Sequence, residues 1–186
     1  MCGQPPHILL LTFKKQKIMF VNLPKQPGAS KQNNPWFRIY VANLNDVDIE
    51  NWPAAVNATI STNVLKTTKK WNFLDSTPKS INPSAAPGES PLNGILTLTP
   101  VIEGITKESL AWIYDNVGED CIVVWERCAD KQKFIAGSPC SSGLKLSYTN
   151  IGTLEGGIGG IALQFQGQEC PEPFYFYDVT PFEVEP

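Results

Sequence analysis

The sequence predicts a mainly β domain: a sandwich or partial barrel with one flanking α-helix near residues 106–117 and a long loop near 75–94. Three observations point there. Sixteen prolines and fourteen glycines divide 186 residues into short pieces, which suits strands joined by turns. Several of those pieces alternate apolar and polar side chains with period two. Only one segment combines helical spacing with end signals.

The elements follow in order. Residues 24–35 (PKQPGASKQNNP) are polar and turn-rich and read as a loop or arm. Phe37–Ala42 is a strand with Phe37, Ile39 and Val41 on one face. Pro53 then holds Trp52 in an extended corner. In Thr59–Leu65, Ile60, Thr62 and Val64 face inward and Thr59, Ser61 and Asn63 outward. Lys69–Leu74 turns Trp71 and Phe73 inward.

Residues 75–94 hold four prolines and two glycines, which forbid a central strand or helix. Loops of that length are uncommon in compact domains unless functional or disordered. Gly94–Ile102 is a strand, with Leu96 and Leu98 opposite Thr97 and Thr99. The helix starts at a Thr106 cap, carries Glu108 in its first turn and stops at Gly118. Its expected apolar stripe is Leu110, Ile113, Tyr114 and Val117.

Cys121–Arg127 and Gln132–Ala136 form a hairpin around Ala129-Asp130-Lys131. Leu144–Thr149 and Gly160–Gln166 are two further strands, joined by a flexible glycine-rich connection over Gly152–Gly160. Phe174–Tyr177 is an aromatic strand. Residues 20–180 read as a single domain and 181–186 as a tail. Residues 1–19 are an N-terminal extension: either Ile8–Phe13 is a strand, or the natural start is Met19.

Composition narrows function by exclusion. A net charge of −3 gives no global argument for nucleic-acid binding. The longest early apolar run, Ile8–Leu11, is far short of the ~20 residues of a membrane-spanning helix. Charge is unevenly placed. Residues 1–45 carry Lys14, Lys15, Lys17, Lys25, Lys31 and Arg38 and no acid. Residues 146–186 carry Glu155, Glu169, Glu172, Asp178, Glu183 and Glu185 and no base. Opposite ends of two copies can therefore attract head to tail, although solvated surface explains the same split.

Catalytic chemistry finds little to work with. The single histidine, His7, has no nucleophile at a recognisable spacing. Cys2, Cys121, Cys128, Cys140 and Cys170 are odd in number and contain no CxxC pair, so buried free thiols are the expectation, with no metal site. The run Gly157-Ile158-Gly159-Gly160 lacks the helix and lysine of a phosphate-binding loop. Glu119-Asp120 and Glu183/Glu185 are candidate carboxylate pairs for a glycosidase, but read more simply as solvated or interfacial charge. Trp36, Trp52, Trp71, Trp112 and Trp125, with the Phe174–Tyr177 run, could stack sugars or simply pack. The expectation is a chain with no active site and no cofactor.

One succession of phrases is more specific. Tyr40-Val41-Ala42, Trp52-Pro53, Ile95–Pro100 and the helix Lys107–Val117 occur in that order. Ile122-Val123-Val124-Trp125-Glu126, Phe134-Ile135-Ala136-Gly137-Ser138-Pro139, the glycine loop, Ile161–Gln166 and Cys170-Pro171-Glu172-Pro173-Phe174-Tyr175 follow. Over about residues 20–180 this resembles the tail tube (major tail) proteins of long-tailed bacteriophages, particularly a group in phages and prophages of Bacteroidota-type hosts. Residues 1–18 have no place in the pattern.

The resemblance implies a virion protein, made in the host cytoplasm and built into the phage tail. Its copies form stacked rings, six to a ring, around a lumen that conducts DNA transiently. It implies tape-measure and tail terminator proteins as further partners, and no membrane. Loop 75–94 and arm 20–35 become the expected contacts between rings. Lys25, Lys31, Lys79, Ile81, Leu92, Glu183 and Glu185 are the residues expected there. The outward residues Thr59, Ser61, Asn63, Thr97 and Thr99 are expected to line the lumen, where lysines would grip phosphates. Alternatives are another virion part (head decoration, head–tail joining or contractile-system tube protein), a surface carbohydrate-binding module, or a hydrolase using scattered carboxylates.

Overall fold

The computed structural model describes residues 20–24, 37–77, 81, 83–87, 94–127, 130–139, 143–153, 159–170 and 173–186. Eleven strands form one mixed sheet that is not closed, accompanied among the described residues by a single short helix. The strands are β1 (Phe37–Asn43), β2 (Thr59–Ile60), β3 (Asn72–Ser76), β4 (Ser84–Pro87), β5 (Gly94–Leu98) and β6 (Val101–Glu103). After the helix α1 (Lys107–Asn116) come β7 (Asp120–Glu126), β8 (Lys133–Ala136), β9 (Leu144–Thr153), β10 (Gly159–Cys170) and β11 (Tyr175–Tyr177). The main path runs β2-β11-β8-β7-β9-β10-β5-β4; β1 joins β7 to β3, and β6 pairs with β10.

The centre of the sheet is buried on both faces, which is why β7 reads as a continuous apolar run. Cys121, Val123 and Trp125 point into one hydrophobic cluster, and Ile122 and Val124 into another. The first cluster lies between two limbs of the sheet. Ile39 and Val41 of β1 meet Leu96, Leu98, Leu144, Leu146, Leu163 and Phe165 from β5, β9 and β10. The second gathers Val47, Ile60, Val64, Leu65, Trp71, Ile135 and Tyr177, with Phe182 and Val184 packed against it. Each side chain of this size contributes about 1.5–3 kcal/mol when fully buried.

Several expectations change. Thr59–Leu65 is not one strand: Asn57 and Ala58 take positive φ in a turn closed by the Val56–Thr59 bridge, and only Thr59–Ile60 continues as strand. Ile60 and Val64 are buried, whereas Thr62 is exposed. In β3, Phe73 is half-buried beneath the Arg38 guanidinium, and Leu74 fills the core. Arg38 Nε donates to Asp75 Oδ1 at 2.8 Å across the β1–β3 register, and this bond raises the arginine pKa further.

The 75–94 loop is shorter than expected. Asp75 and Ser76 complete β3, and Ser84–Pro87 forms β4 against β5. The prolines exclude a central strand but permit an edge strand that ends on Pro87. The glycine-rich connection also contracts, because Gly152 belongs to β9 and Gly159 and Gly160 to β10. Residues 154–158 and the 1–19 extension, with Ile8–Phe13 and Met19, lie outside the described residues.

Helix α1 has the expected ends but a different buried face. The Thr106 hydroxyl accepts from Ser109 N, and the Ser109 hydroxyl accepts from Thr106 N. Gly118 sits at φ +86. The buried residues are Ser109, Trp112, Ile113 and Asn116, while Tyr114 is 68% exposed. The indole of Trp112 decides this rotation. It packs on Phe20 with ring centroids 5.8 Å apart and donates from Nε1 to Val21 O at 2.9 Å. Asn116 Nδ2 donates to Trp112 O and Ser109 is held by the cap, while Asn116 Oδ1 is buried with no hydrogen-bond partner among the described residues.

Candidate assembly surfaces

Among the described residues, strand β4 ends the sheet as an edge. Ser84, Ala85, Ala86 and Pro87 are all exposed, and among the described residues the only strand they pair with is β5, in the register Ser84–Thr97 to Pro87–Gly94. An edge strand of this kind offers backbone donors and acceptors to another chain.

Beside it lies a polar face. Along β5 and β10, Leu96, Leu98, Leu163 and Phe165 enter the core, so Thr97, Gln164 and Gln166 point the other way. The register aligns Ser84, Thr97, Gln166 and Lys145 in one row across four strands. Ser147 opposes Gln164 and donates to its carbonyl at 3.3 Å. Where β7 leaves β9, this face opens into a concavity of about 680 Å³ lined by Asp120, Gly143, Lys145, Ser147, Gln166, Gly167 and Gln168. Its described charges, Asp120 and Lys145, stand 3.6 Å apart and offset one another.

At the other end of the sheet Phe174 and Phe176 form a partly exposed aromatic shelf. Both rest on Phe134, at centroid distances of 5.9 and 5.0 Å, and Phe134 stacks on Trp125. The aromatic run Phe174–Tyr177 signals a strand, and its alternation leaves Phe174 and Phe176 outward while Tyr177 is buried.

The two end segments of the domain meet on β3. Leu23 N donates to Phe73 O and Asp75 N to Leu23 O, making a parallel bridge. Trp71 N donates to Glu183 O and Glu185 N to Trp71 O, making a second. Asn22 ties these together: its Oδ1 accepts from Phe73 N at 2.9 Å, and its Nδ2 donates to the carbonyls of Glu185 and Pro186. A lone asparagine between valine and leucine carries no sequence signal for this, so Asn22 was not among the expected contacts.

The expected contact residues fall as follows. Ile81 is partly buried and packs against the first cluster. Glu183 is exposed and Glu185 half-buried, and their backbones pair with Trp71 of the same chain. Lys25, Lys31, Lys79 and Leu92 lie outside the described residues. Of the expected lumen residues, Thr97 shares the polar face with β10, whereas Thr59, Ser61 and Asn63 lie at the β2 end of the sheet.

The candidate chemical groups are dispersed. Glu119 accepts from Asn43 Nδ2 at 3.0 Å, while its neighbour Asp120 faces Lys145. Cys121 is buried, its Sγ donates to Leu144 O, and burial raises its thiol pKa well above the usual value. Trp71, Trp112 and Trp125 are buried and Trp52 is half-buried. His7, Trp36, Cys2, Cys128, Cys140 and the side chain of Cys170 lie outside the described residues. Among the described residues no group of His, Cys, Asp and Glu could hold a metal ion, and no helix is long and apolar enough to cross a membrane. The chain has no match among known family models, curated proteins or solved structures.

Proposed function

We propose that the chain is a structural virion protein, a tail tube subunit whose copies form stacked rings around a DNA-conducting lumen. The observation that carries this reading is the juxtaposition, among the described residues, of an edge strand, β4, with a polar face in which a Lys–Asp pair supplies the charge. Pairing β4 with a strand of the next copy would continue the sheet from subunit to subunit. The continuous inner wall would then present threonine, serine and glutamine, which hydrogen-bond water without gripping phosphates.

The fold supports the same reading. A core enclosed between two limbs of one open sheet, with α1 at its side, supports reading the fold as a sandwich or partial barrel of the tail tube type. The tube reading leaves α1 and the aromatic shelf for contacts away from the lumen wall, and carries tape-measure and tail terminator proteins as further partners.

Sedimentation and negative-stain electron microscopy of the purified full chain test the proposal. Stacked rings of uniform diameter with an open centre are expected. A chain that stays monomeric at high concentration, with neither rings nor tubes, would refute it.

A further inference from the structure

Residues 20–24 form a compact ligand for the groove between β3 and α1. Phe20 and Leu23 are its buried anchors, each 3% exposed, while Val21 between them is 58% exposed. Its polar contacts include the Leu23 bridge to Phe73 and Asp75, the Trp112 indole on Val21 O, and the three hydrogen bonds of Asn22. These contacts all join the segment to residues downstream of position 70.

The link from this segment to β1 is much longer than the connection requires. Phe37 opens β1 opposite Ser76 on one side of β3, while Leu23 pairs beside Leu74 on the other side. Pro24 and Phe37 therefore stand at the same end of β3, two strand spacings or about 10 Å apart. Residues 25–36 separate them, and twelve residues can reach about 40 Å. A domain of this size has a radius of gyration near ~16 Å and is roughly 40 Å across. Four residues would suffice for the chain's own groove; twelve reach the groove of a neighbour.

We propose that residues 20–24 are an exchangeable strand, and that in the assembly the β3–α1 groove of one copy is filled by the Phe20–Pro24 segment of a second copy. The exchange preserves every groove contact, so its enthalpic cost is small and close packing of subunits decides its direction. Effective concentration of the tethered segment in a ring is high, which favours occupancy. This inference rests on the self-assembly reading and names one contact within it.

A disulfide trap on the full chain tests it. Asn22→Cys and Glu185→Cys put thiols on two adjoining stretches of chain, since Asn22 Nδ2 now donates to the backbone carbonyl of Glu185 at 3.1 Å. Cys2, Cys128, Cys140 and Cys170 are changed to serine, and the buried Cys121 is kept. The protein is assembled, oxidised and run without reductant, with sedimentation before oxidation. Oligomers that yield chain-to-chain cross-links support the exchange. Oligomers that yield only monomer-sized, internally cross-linked chains overturn the exchange and leave the assembly reading standing. Monomers with internal cross-links overturn both. A second variant lacking residues 27–34 keeps a link of about 14 Å, enough for its own groove; a folded monomer is expected, and assembly equal to the parent would overturn the exchange.

Discussion

Trp71 and Phe182 stack with ring centroids 5.8 Å apart and planes inclined by 14°. Tyr40 and Tyr177 meet the same phenylalanine edge-on, and Lys133 Nζ lies 5.3 Å from its ring centroid. Phe182 thus seals the second hydrophobic cluster from the tail side. Phe182→Ala is expected to lower stability by about 2–3 kcal/mol, less than a fully buried phenylalanine because the ring is half-buried. The urea midpoint should fall with an unchanged slope; a midpoint equal to the parent's would show that the tail adds nothing.

Two glycines at similar φ separate strain from crowding. At Gly118 (φ +86) an added methyl would meet open space, whereas at Gly137 (φ +96) a Cβ would lie 2.8 Å from Cys121 O. Gly118→Ala is expected to cost about 1 kcal/mol. Gly137→Ala adds a backbone clash between β7 and the end of β8 and should cost at least twice that. Equal thermal midpoints for the two variants would contradict this ordering.

Tyr177 gives the stability a pH dependence at the alkaline end. Burial pushes its phenol up from 10.0 to about 12. Below pH 10 both folded and unfolded chains carry the proton and nothing is lost. Between pH 10 and 12 the unfolded chain releases it first, so stability falls with rising pH by about 2–3 kcal/mol in total. Tyr177→Phe should flatten the denaturation midpoint across that interval. An unchanged slope would assign the alkaline loss to other groups.

Removing residues 79–91 deletes β4 and leaves the outer side of β5 uncovered. The expected product is a folded monomer that makes no tubes, with a circular dichroism spectrum close to the parent's. Tubes of normal appearance in micrographs would rule out β4 as the joining edge.

Much of this fold was legible in the residues, and the parts that were not share a cause. The Cys121–Arg127 and Gln132–Ala136 hairpin and both ends of α1 follow from short-range turn and cap chemistry. The face of α1 did not, because helical spacing allows two overlapping stripes and only the long-range Trp112–Val21 contact selects between them. Ser84–Pro87 looked like loop because its strand character comes from β5 rather than from its own side chains. Thr97 was readable as outward from alternation alone. Its neighbours Gln164 and Gln166 joined the same surface only through the β5–β10 register.

The bridge between Trp71 and Val184 also has a consequence for synthesis. More than a hundred residues separate the two positions. A ribosome adds about 5–20 residues per second, so the tryptophan emerges on the order of ten seconds before the segment that covers it. Throughout that interval its indole and the neighbouring β3 backbone are open to any passing hydrophobic chain. Nascent copies on one polysome would be the nearest such chains, and a holding chaperone would find its binding site there.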